Sequence, residues 1–306
     1  MSDPVTETTV ELQGRTVRHL SAGHGPRLLL ALHTGAPGRS PFAGSSDLFA
    51  DLIGRLDLDG LRVLAPDLPG AGGTDLTGPA DLTTAGIVAF AQALIAAEQQ
   101  DITELHVLGH GDASLAALQL TREGAGDHAV ASCFLIAPNA AAPIGDSIQN
   151  VSLLHPPPPR WSRRSQRWAV DRLTYVPDRF PAALLDRLVA NAERAPHAAA
   201  TALLADPVKA AALLGAQIDA QDAFYAHCRD VGYAQPVTVF WGAGDPTATV
   251  TRGTVLASIL AGGPAELDFQ LVNQCGHFAQ FDRPAQLAGV LQTALHRAAG
   301  HLIPTT

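Results

Sequence analysis

Five residues between a predicted strand and a predicted helix have the pattern of a nucleophile turn. Residues 105–118 predict a short apolar strand, a tight turn and a helix that begins with small residues. Gly109 and Ala113 fill the two small positions of the G-x-S-x-G pattern, in which a serine at the apex attacks the substrate. The apex residue here is Gly111. The turn therefore has the small residues that its geometry requires but lacks the serine.

Glycine at the apex removes backbone strain together with the nucleophile, because the turn forces a φ that is costly for other residues. An alternative register makes the next residue, Asp112, the nucleophile. That register puts His110 where the turn needs a small residue, so we prefer the first one. After the apex, Asp112 begins a helix, where a carboxylate is favoured without any catalytic role.

The apolar runs around this turn predict an α/β sheet. Residues 8–12 and 15–20 alternate in polarity about Gly14 and predict an antiparallel hairpin. Further strands are predicted at 27–32, 61–65, 129–136, 237–241 and 266–272, and helices at 45–56, 83–99, 251–260 and 284–299. The repeated strand–helix–strand order indicates a parallel, doubly wound sheet.

This alternation stops in the second half of the chain. A proline run at 156–159 is followed by Ala-, Leu- and Arg-rich segments that predict helices with no strand between them, at 162–173, 181–195, 197–214 and 216–231. We therefore predict a helical cap of residues 140–234, inserted in a core of residues 1–139 and 235–306. Trp161 and Trp168, both flanked by arginines, either line the pocket mouth or belong to a solvated face.

The composition is that of a globular protein with a sizeable core. Of its 306 residues 47% are hydrophobic and 16% charged, with a net charge of −9. Arginines form no basic stripe, so nucleic acid is not an expected partner. Residues 1–11 lack the features of a secretory signal, and no apolar run approaches the roughly 18 residues of a membrane span. Three widely spaced cysteines indicate neither a disulfide framework nor a zinc site, so we expect a cytoplasmic protein.

Five short motifs, taken in order, resemble those of the α/β-hydrolase family over nearly the whole chain. They are His33-Thr34-Gly35, Asp67-Leu68-Pro69-Gly70 with Gly72, the turn at 109–113, Trp241-Gly242 with Asp245, and Gly276-His277-Phe278. The resemblance implies an α/β-hydrolase fold, an eight-stranded, mostly parallel sheet flanked by helices with a helical cap insertion. It also implies a member that has Gly111 in place of the nucleophilic serine.

The resemblance also implies a site. The family places an acid after the strand at 237–241 and a histidine after the last strand, which here are Asp245 and His277. Taken alone, Asp245 could simply open a Gly-Asp-Pro turn, and His277 could be a surface loop histidine. In a catalytic dyad the carboxylate fixes the tautomer and orientation of the imidazole.

The same resemblance assigns two backbone donors of an oxyanion hole. One is the N–H of Asp112, and the other is the N–H of Thr34 or Gly35, with Gly111 beneath the substrate. Backbone donors survive side-chain changes, so we expect an anion-binding nest to persist without the serine.

Three functions are compatible with these residues. The first is a non-hydrolytic enzyme in which the dyad of His277 and Asp245 is a general base for elimination, cyclisation, isomerisation or cofactor-free oxygenation, by analogy a tailoring step of secondary metabolism. The second is a hydrolase that uses a water activated by His277 on an activated ester or similar bond. The third is a non-catalytic binding protein. In each case we expect a small-molecule ligand and no cofactor, metal or membrane partner, and the sequence is compatible with a homodimer.

Overall fold

Eight strands form one sheet in the computed structural model, which describes residues 4–98, 101–143, 151–264 and 266–301. The strand order is β1-β2-β4-β3-β5-β6-β7-β8, with β1 and β2 antiparallel to their neighbours and the other pairs parallel. The strands are β1 (Thr6–Leu12), β2 (Arg15–Gly23), β3 (Arg27–Leu32), β4 (Leu61–Pro66), β5 (Glu104–His110), β6 (Val130–Ile136), β7 (Val237–Gly242) and β8 (Leu267–Val272). The predicted eight-stranded, mostly parallel sheet is confirmed.

Helices cover both faces of this sheet. They are α1 (Ala50–Ile53), α2 (Thr84–Ala96), α3 (Ser114–Glu123), α4 (Arg163–Leu173), α5 (Ala182–Glu193), α6 (Ala195–Leu204), α7 (Pro207–Asp230), α8 (Val250–Leu260), α9 (Ala279–Asp282) and α10 (Pro284–His301). Alternate residues of β3 face opposite sides: Leu28 and Leu30 pack in the core under α2 and α3, and Leu29 in the core under α1 and α10. A strand buried on both faces has to be apolar throughout, which is why its sequence showed no alternation.

Two predicted helices have different bounds in the structure. The helix predicted at 45–56 is a 3₁₀ turn, Ser46–Phe49, followed by the single turn of α1. The 3₁₀ turn is tied to neighbouring segments, because the N–H of Ser46 donates to Asp67 at 2.8 Å and the carboxylate of Asp47 pairs with Arg18 at 2.8 Å. The second of these helices, predicted at 83–99, is α2, which the structure places at Thr84–Ala96. Its predicted last residue, Gln99, lies outside the described residues.

The break between the last two predicted cap helices also lies at a different position in the structure. We predicted it at Gly215, but α6 ends at Leu204 and α7 begins at Pro207 and runs 24 residues through Gly215. Asp206 caps α7 by accepting the N–H of Val208 at 2.9 Å. Proline cannot continue a helix but is favoured in its first turn, whereas a single glycine is tolerated inside one.

Among the described residues between β6 and β7 there are four α-helices, α4 to α7, and residues 151–236 contain no strand. The first part of the predicted cap, at 144–150, lies outside the described residues. A cluster that includes Val170, Phe180 and Leu188 packs on Phe42 and Phe278 of the sheet-derived loops, which joins these helices to the rest of the chain. In the described part of the chain no single helix has both the length and the apolar character of a membrane span, and only α6 and α7 taken together, bent by 94°, reach it.

Candidate active site

The turn after β5 holds Gly111 in a left-handed conformation, with φ at +54°. Gly109, two residues earlier, lies so close to α3 that a Cβ there would overlap the Cβ of Ala117. Strand β5 and helix α3 therefore pack closely on each side of the turn, and this close packing requires small residues. Gly111 lies at the carboxyl end of a parallel strand, where α/β sheets bind ligands.

No side chain fits at position 111 beside the present neighbours. A Cβ built on Gly111 would overlap the hydroxyl of Thr34 and would lie 2.8 Å from Nε2 of His277. The Thr34 hydroxyl itself lies 3.2 Å from Nε2 of His277. Thr34 thus supplies a hydroxyl at the apex of the turn, from the loop after β3, at the place that a side chain of residue 111 would need.

His277 and Asp245 form a buried pair at the same edge of the sheet. Nδ1 of His277 lies 3.1 Å from Oδ2 of Asp245, and the side chain of His277 is only 2% exposed. The other carboxylate oxygen of Asp245 accepts the backbone N–H of Thr247 at 2.8 Å and its hydroxyl at 2.7 Å. Because a carboxylate can only accept, Nδ1 carries the proton, and Nε2 of a neutral His277 is left as the basic atom.

Two further contacts fix the loop that carries His277. Its backbone N–H donates to the carbonyl of Leu173, the last residue of α4, at 2.7 Å. The ring of His110 stacks on the ring of His277 with centroids 4.8 Å apart, and Nε2 of His110 donates to the carbonyl of His277 at 3.0 Å. Burial, and the positive charge that His277 can carry, hold the pKa of His110 well below its ordinary value. His110 is therefore a neutral packing partner.

The carboxylate of Asp112 turns away from α3 towards the loop after β3. Its Oδ2 accepts the backbone N–H groups of Gly35 and Ala36 at 3.0 and 2.9 Å, the hydroxyl of Ser40 at 2.9 Å, and the hydroxyl of Thr34 at 3.3 Å. Although burial raises the pKa of Asp112, the N–H of Ala36 and the charge of Arg39 bring it below its ordinary value. Asp112 is therefore an anion held by four donors.

This carboxylate changes the expected oxyanion hole. Sequence reasoning left the N–H groups of Thr34 or Gly35 and of Asp112 open to substrate, but Gly35 donates to the Asp112 carboxylate and Asp112 itself donates to the Thr34 hydroxyl at 3.4 Å. The anion-binding nest exists, and the protein's own carboxylate fills it. No sequence pattern predicts this contact, because the position of a residue at the start of a helix does not determine the direction of its side chain.

A cavity of about 290 Å³ opens onto these groups, and we call it the His277 cavity. Of the polar atoms in it, Oδ1 of Asn139 carries no hydrogen bond within the described parts of the chain. The two cap tryptophans lie elsewhere, Trp161 against His197 and Trp168 against Arg172. The cavity is lined mainly by polar residues: Thr34, Arg39, Ser40, Asp112, Asn139, Gln217, Gln221, Thr247, Arg252 and His277, with Pro41, Phe42, Ala140, Leu153, Leu173 and Pro246.

The sequence analysis missed Ser40, Asn139 and Thr247 among these residues, and it missed Ala36, which donates its N–H to Asp112. Only Thr247 had a local signal, since a residue two positions after an aspartate often donates its N–H to that carboxylate. In the described residues, no group of three or more His, Cys, Asp or Glu is arranged to hold a metal ion.

The fold is shared with many solved hydrolases. The meta-cleavage product hydrolase of Pseudomonas fluorescens IP01 has a TM-score of 0.72 at 16% identity, over 95% of this chain and 98% of that one. A serine hydrolase of Cycloclasticus zankles has a TM-score of 0.71 at 14% identity, over 98% and 99%. The epoxide hydrolase CorEH has a TM-score of 0.67 at 17% identity, over 96% and 99%. At these identities the likeness shows the fold alone.

A search of curated protein sequences returned no match. The model of the alpha/beta hydrolase family matches residues 28–290, which include the turn at Gly111 and both members of the buried His277–Asp245 pair. The chain belongs to the α/β-hydrolase family.

Proposed function

We propose that this chain is an enzyme in which His277 acts as a general base without a serine nucleophile. One observation carries the proposal: His277 is held by Asp245 at 3.1 Å and lines a cavity, while the apex residue beside it, Gly111, has no side chain. In this proposal Gly111 takes the position at which hydrolases of the family carry serine. The base and its orienting acid are retained and the nucleophile is not.

The proton path follows from the tautomer. Neutral His277 donates Nδ1–H to Asp245 and presents the lone pair of Nε2. A substrate C–H or O–H proton moves to Nε2, and the electron pair left behind forms a new bond or expels a leaving group within the substrate. The Asp245 carboxylate stabilises the imidazolium that results. Elimination, cyclisation, isomerisation and cofactor-free oxygenation all begin with this step, and a tailoring step of secondary metabolism is a fitting context.

Removal of the proton leaves negative charge on the substrate. This charge needs a partner other than the backbone N–H groups that were expected to form the oxyanion hole. The N–H groups of Gly35 and Ala36 are held by Asp112. Arg39 and Arg252 also line the His277 cavity and place positive charge on its other walls, where Arg39 donates to Gln217 and Arg252 to backbone carbonyls. The proposal therefore favours substrates whose developing negative charge forms away from the turn at Gly111.

A second candidate function, hydrolysis, is favoured by the position of Asp112. Its Oδ2 is fixed by four donors, whereas Oδ1 accepts no hydrogen bond in the described residues, and the side chain lines the cavity. A carboxylate held in this way can attack an electrophilic carbon through Oδ1, forming a C–O bond as the leaving group departs with its electron pair. A water deprotonated by His277 would then attack the ester carbon and release the alcohol, while Gly35 and Ala36 hold the charge on Oδ2.

The probe 5-nitrobenzisoxazole tests the first function, because removal of its single acidic C–H proton breaks the N–O bond and gives a coloured phenolate. We expect the wild type to accelerate this elimination and His277→Ala to lose the acceleration by about 10²–10⁴-fold. His296, exposed on α10, provides the matched control His296→Ala, which should behave as wild type. Equal rates in the wild type and His277→Ala would contradict the proposal.

Oxygen isotopes separate the second function from the first. We would incubate the wild type with limiting styrene oxide in ¹⁸O-labelled water and analyse the peptide that contains Asp112. If Asp112 is the nucleophile, its carboxylate gains ¹⁸O, because the oxygen given to the product is replaced from water. Unlabelled Asp112 together with formed diol would rule out the ester intermediate.

A further inference from the structure

Gln221, on the cap helix α7, lines the His277 cavity with a side chain that is only 5% exposed. Its Nε2 donates to the carbonyls of Ala140 and Ala142, in the loop after β6, at 2.9 Å each. Because a carbonyl can only accept a hydrogen bond, these two contacts identify the nitrogen of the amide. The other end of the amide is therefore the acceptor Oε1.

Oε1 of Gln221 accepts no hydrogen bond within the described parts of the chain. Tyr225, one turn further along α7, cannot donate to it, because the Tyr225 hydroxyl gives its proton to the carbonyl of Ala141 at 2.7 Å. Nor is Oε1 sealed inside the protein, so it is open to the cavity that Gln221 lines. A ligand that covers such an acceptor without donating to it is penalised, so the site selects ligands that donate a hydrogen bond there.

The rest of the cavity favours a ligand that is small, neutral and partly apolar. Its volume of about 290 Å³ is close to the lower end of the roughly 300–1,000 Å³ that ligand pockets span. Phe42, Leu153 and Leu173 supply hydrocarbon surface. Two arginines and one aspartate also line the cavity, and this excess of positive charge disfavours an ammonium as the donor. A hydroxyl is therefore the favoured donor for Gln221.

We propose that Oε1 of Gln221 accepts a hydrogen bond from a hydroxyl of the substrate, and that the substrates are small hydroxylated compounds whose hydrocarbon part lies against Leu153 and Leu173. Reaction of such a compound at His277 rests on the proposed function, whereas hydroxyl selection rests on the Gln221 amide itself. The simpler alternative is that Gln221 only ties α7 to the loop after β6 through Nε2. That alternative predicts no ligand preference that depends on Oε1.

Phenol and toluene are the probes, because they share a ring and differ little in size, but only phenol donates a hydrogen bond. We would titrate the wild type with each compound, following labelled Leu methyl signals, and locate the ligand through nuclear Overhauser effects to Leu153 and Leu173. The measured quantity is the dissociation constant of toluene divided by that of phenol. Gln221→Met removes the acceptor, so this ratio should fall roughly five- to tenfold from its wild-type value.

A second substitution separates the oxygen of Gln221 from its nitrogen. Gln221→Glu loses both contacts of Nε2, as Gln221→Met does, but it keeps an acceptor oxygen. Its ratio should therefore equal or exceed that of the wild type.

Gln119→Met is the matched control, since Gln119 on α3 is also buried, at 9% exposed, and lies outside the lining of the His277 cavity. Its Nε2 donates to the carbonyl of Ala220 on α7 at 3.4 Å, and its substitution should keep the wild-type ratio. Gln221→Met should lower the ratio by the same factor when His277 is replaced by alanine. Loss of the proposed base and loss of hydroxyl selection are therefore distinguishable.

Three results would overturn the inference. One is phenol binding that is not saturable or that shows no contact with Leu153 or Leu173. Another is an unchanged ratio in a folded Gln221→Met protein. The third is an equal fall of the ratio in Gln221→Met and Gln221→Glu, which would assign the effect to Nε2.

Discussion

The hydroxyl of Thr34 lies 3.2 Å from Nε2 of His277, in space that any side chain at position 111 would have to share. Thr34 and Gly111 belong to different loops, and a Cβ at position 111 would overlap the hydroxyl of Thr34. The hydroxyl beside His277 comes from the loop after β3, and the carboxylate of Asp112 accepts the N–H groups of Gly35 and Ala36 next to it.

The first prediction concerns this crowding. Gly111→Ser should lower the free energy of unfolding by more than the roughly 1–3 kcal/mol of left-handed strain, because the new Cβ meets the Thr34 hydroxyl. The second change Thr34→Gly should recover part of that loss, giving a coupling of roughly 0.5–3 kcal/mol in urea denaturation.

Gly126→Ser is the control for strain alone. Gly126 also has a left-handed φ, at +59°, but a Cβ there would meet nothing within 4 Å. The loss of unfolding free energy caused by Gly126→Ser should not depend on Thr34. Equal costs for the serine substitutions at 111 and 126 would show that Thr34 does not crowd the apex.

The second prediction concerns the filled nest. Asp112→Ala frees the N–H groups of Gly35 and Ala36 and the hydroxyl of Ser40, so acetate should bind and shift both amide signals in ¹H–¹⁵N spectra. The wild type should show no such shifts. Asp112→Asn is the control, because its amide oxygen can accept the same hydrogen bonds. Acetate binding at Gly35 in the wild type would mean that the carboxylate does not occupy the nest.

The third prediction concerns the cap at low pH. Burial lowers the pKa of His197, which packs edge-on against Trp161, to about 4 from an ordinary value of 6.5. The unfolded chain binds this proton more readily between pH 6.5 and pH 4, so the stability contributed by neutral His197 is complete above pH 6.5 and is lost as the pH falls to 4. Relative to His197→Gln, the wild type should lose up to roughly 3 kcal/mol over this interval in urea denaturation. Parallel pH profiles for the two proteins would contradict the assignment.

Much of the fold could be predicted because buried positions are occupied mainly by apolar residue types. Strand β3 was predicted with its observed bounds, since each residue from Leu28 to Leu32 is buried and apolar. The break before Pro207 was misplaced at Gly215 because glycine and proline both interrupt helical patterns, and only the Asp206 cap distinguishes them. The motif order led to Asp245 and His277, which the fold brings to one edge of the sheet. The contacts of Asp112 and Thr34 join residues 78 positions apart through side-chain directions that no local pattern encodes.

We propose that His277, oriented by Asp245, removes a proton from substrate without a covalent intermediate. The most direct measurement is the deuterium isotope effect on the enzyme-catalysed elimination of 5-nitrobenzisoxazole, with the buffer rate subtracted, in the wild type, Asp245→Asn and His277→Ala. We expect a catalysed rate in the wild type that falls several-fold when the C–H becomes C–D. We expect a rate about 10²–10⁴-fold lower in Asp245→Asn and no catalysed rate in His277→Ala. A catalysed rate that is insensitive to deuterium, or that survives in His277→Ala, would contradict it.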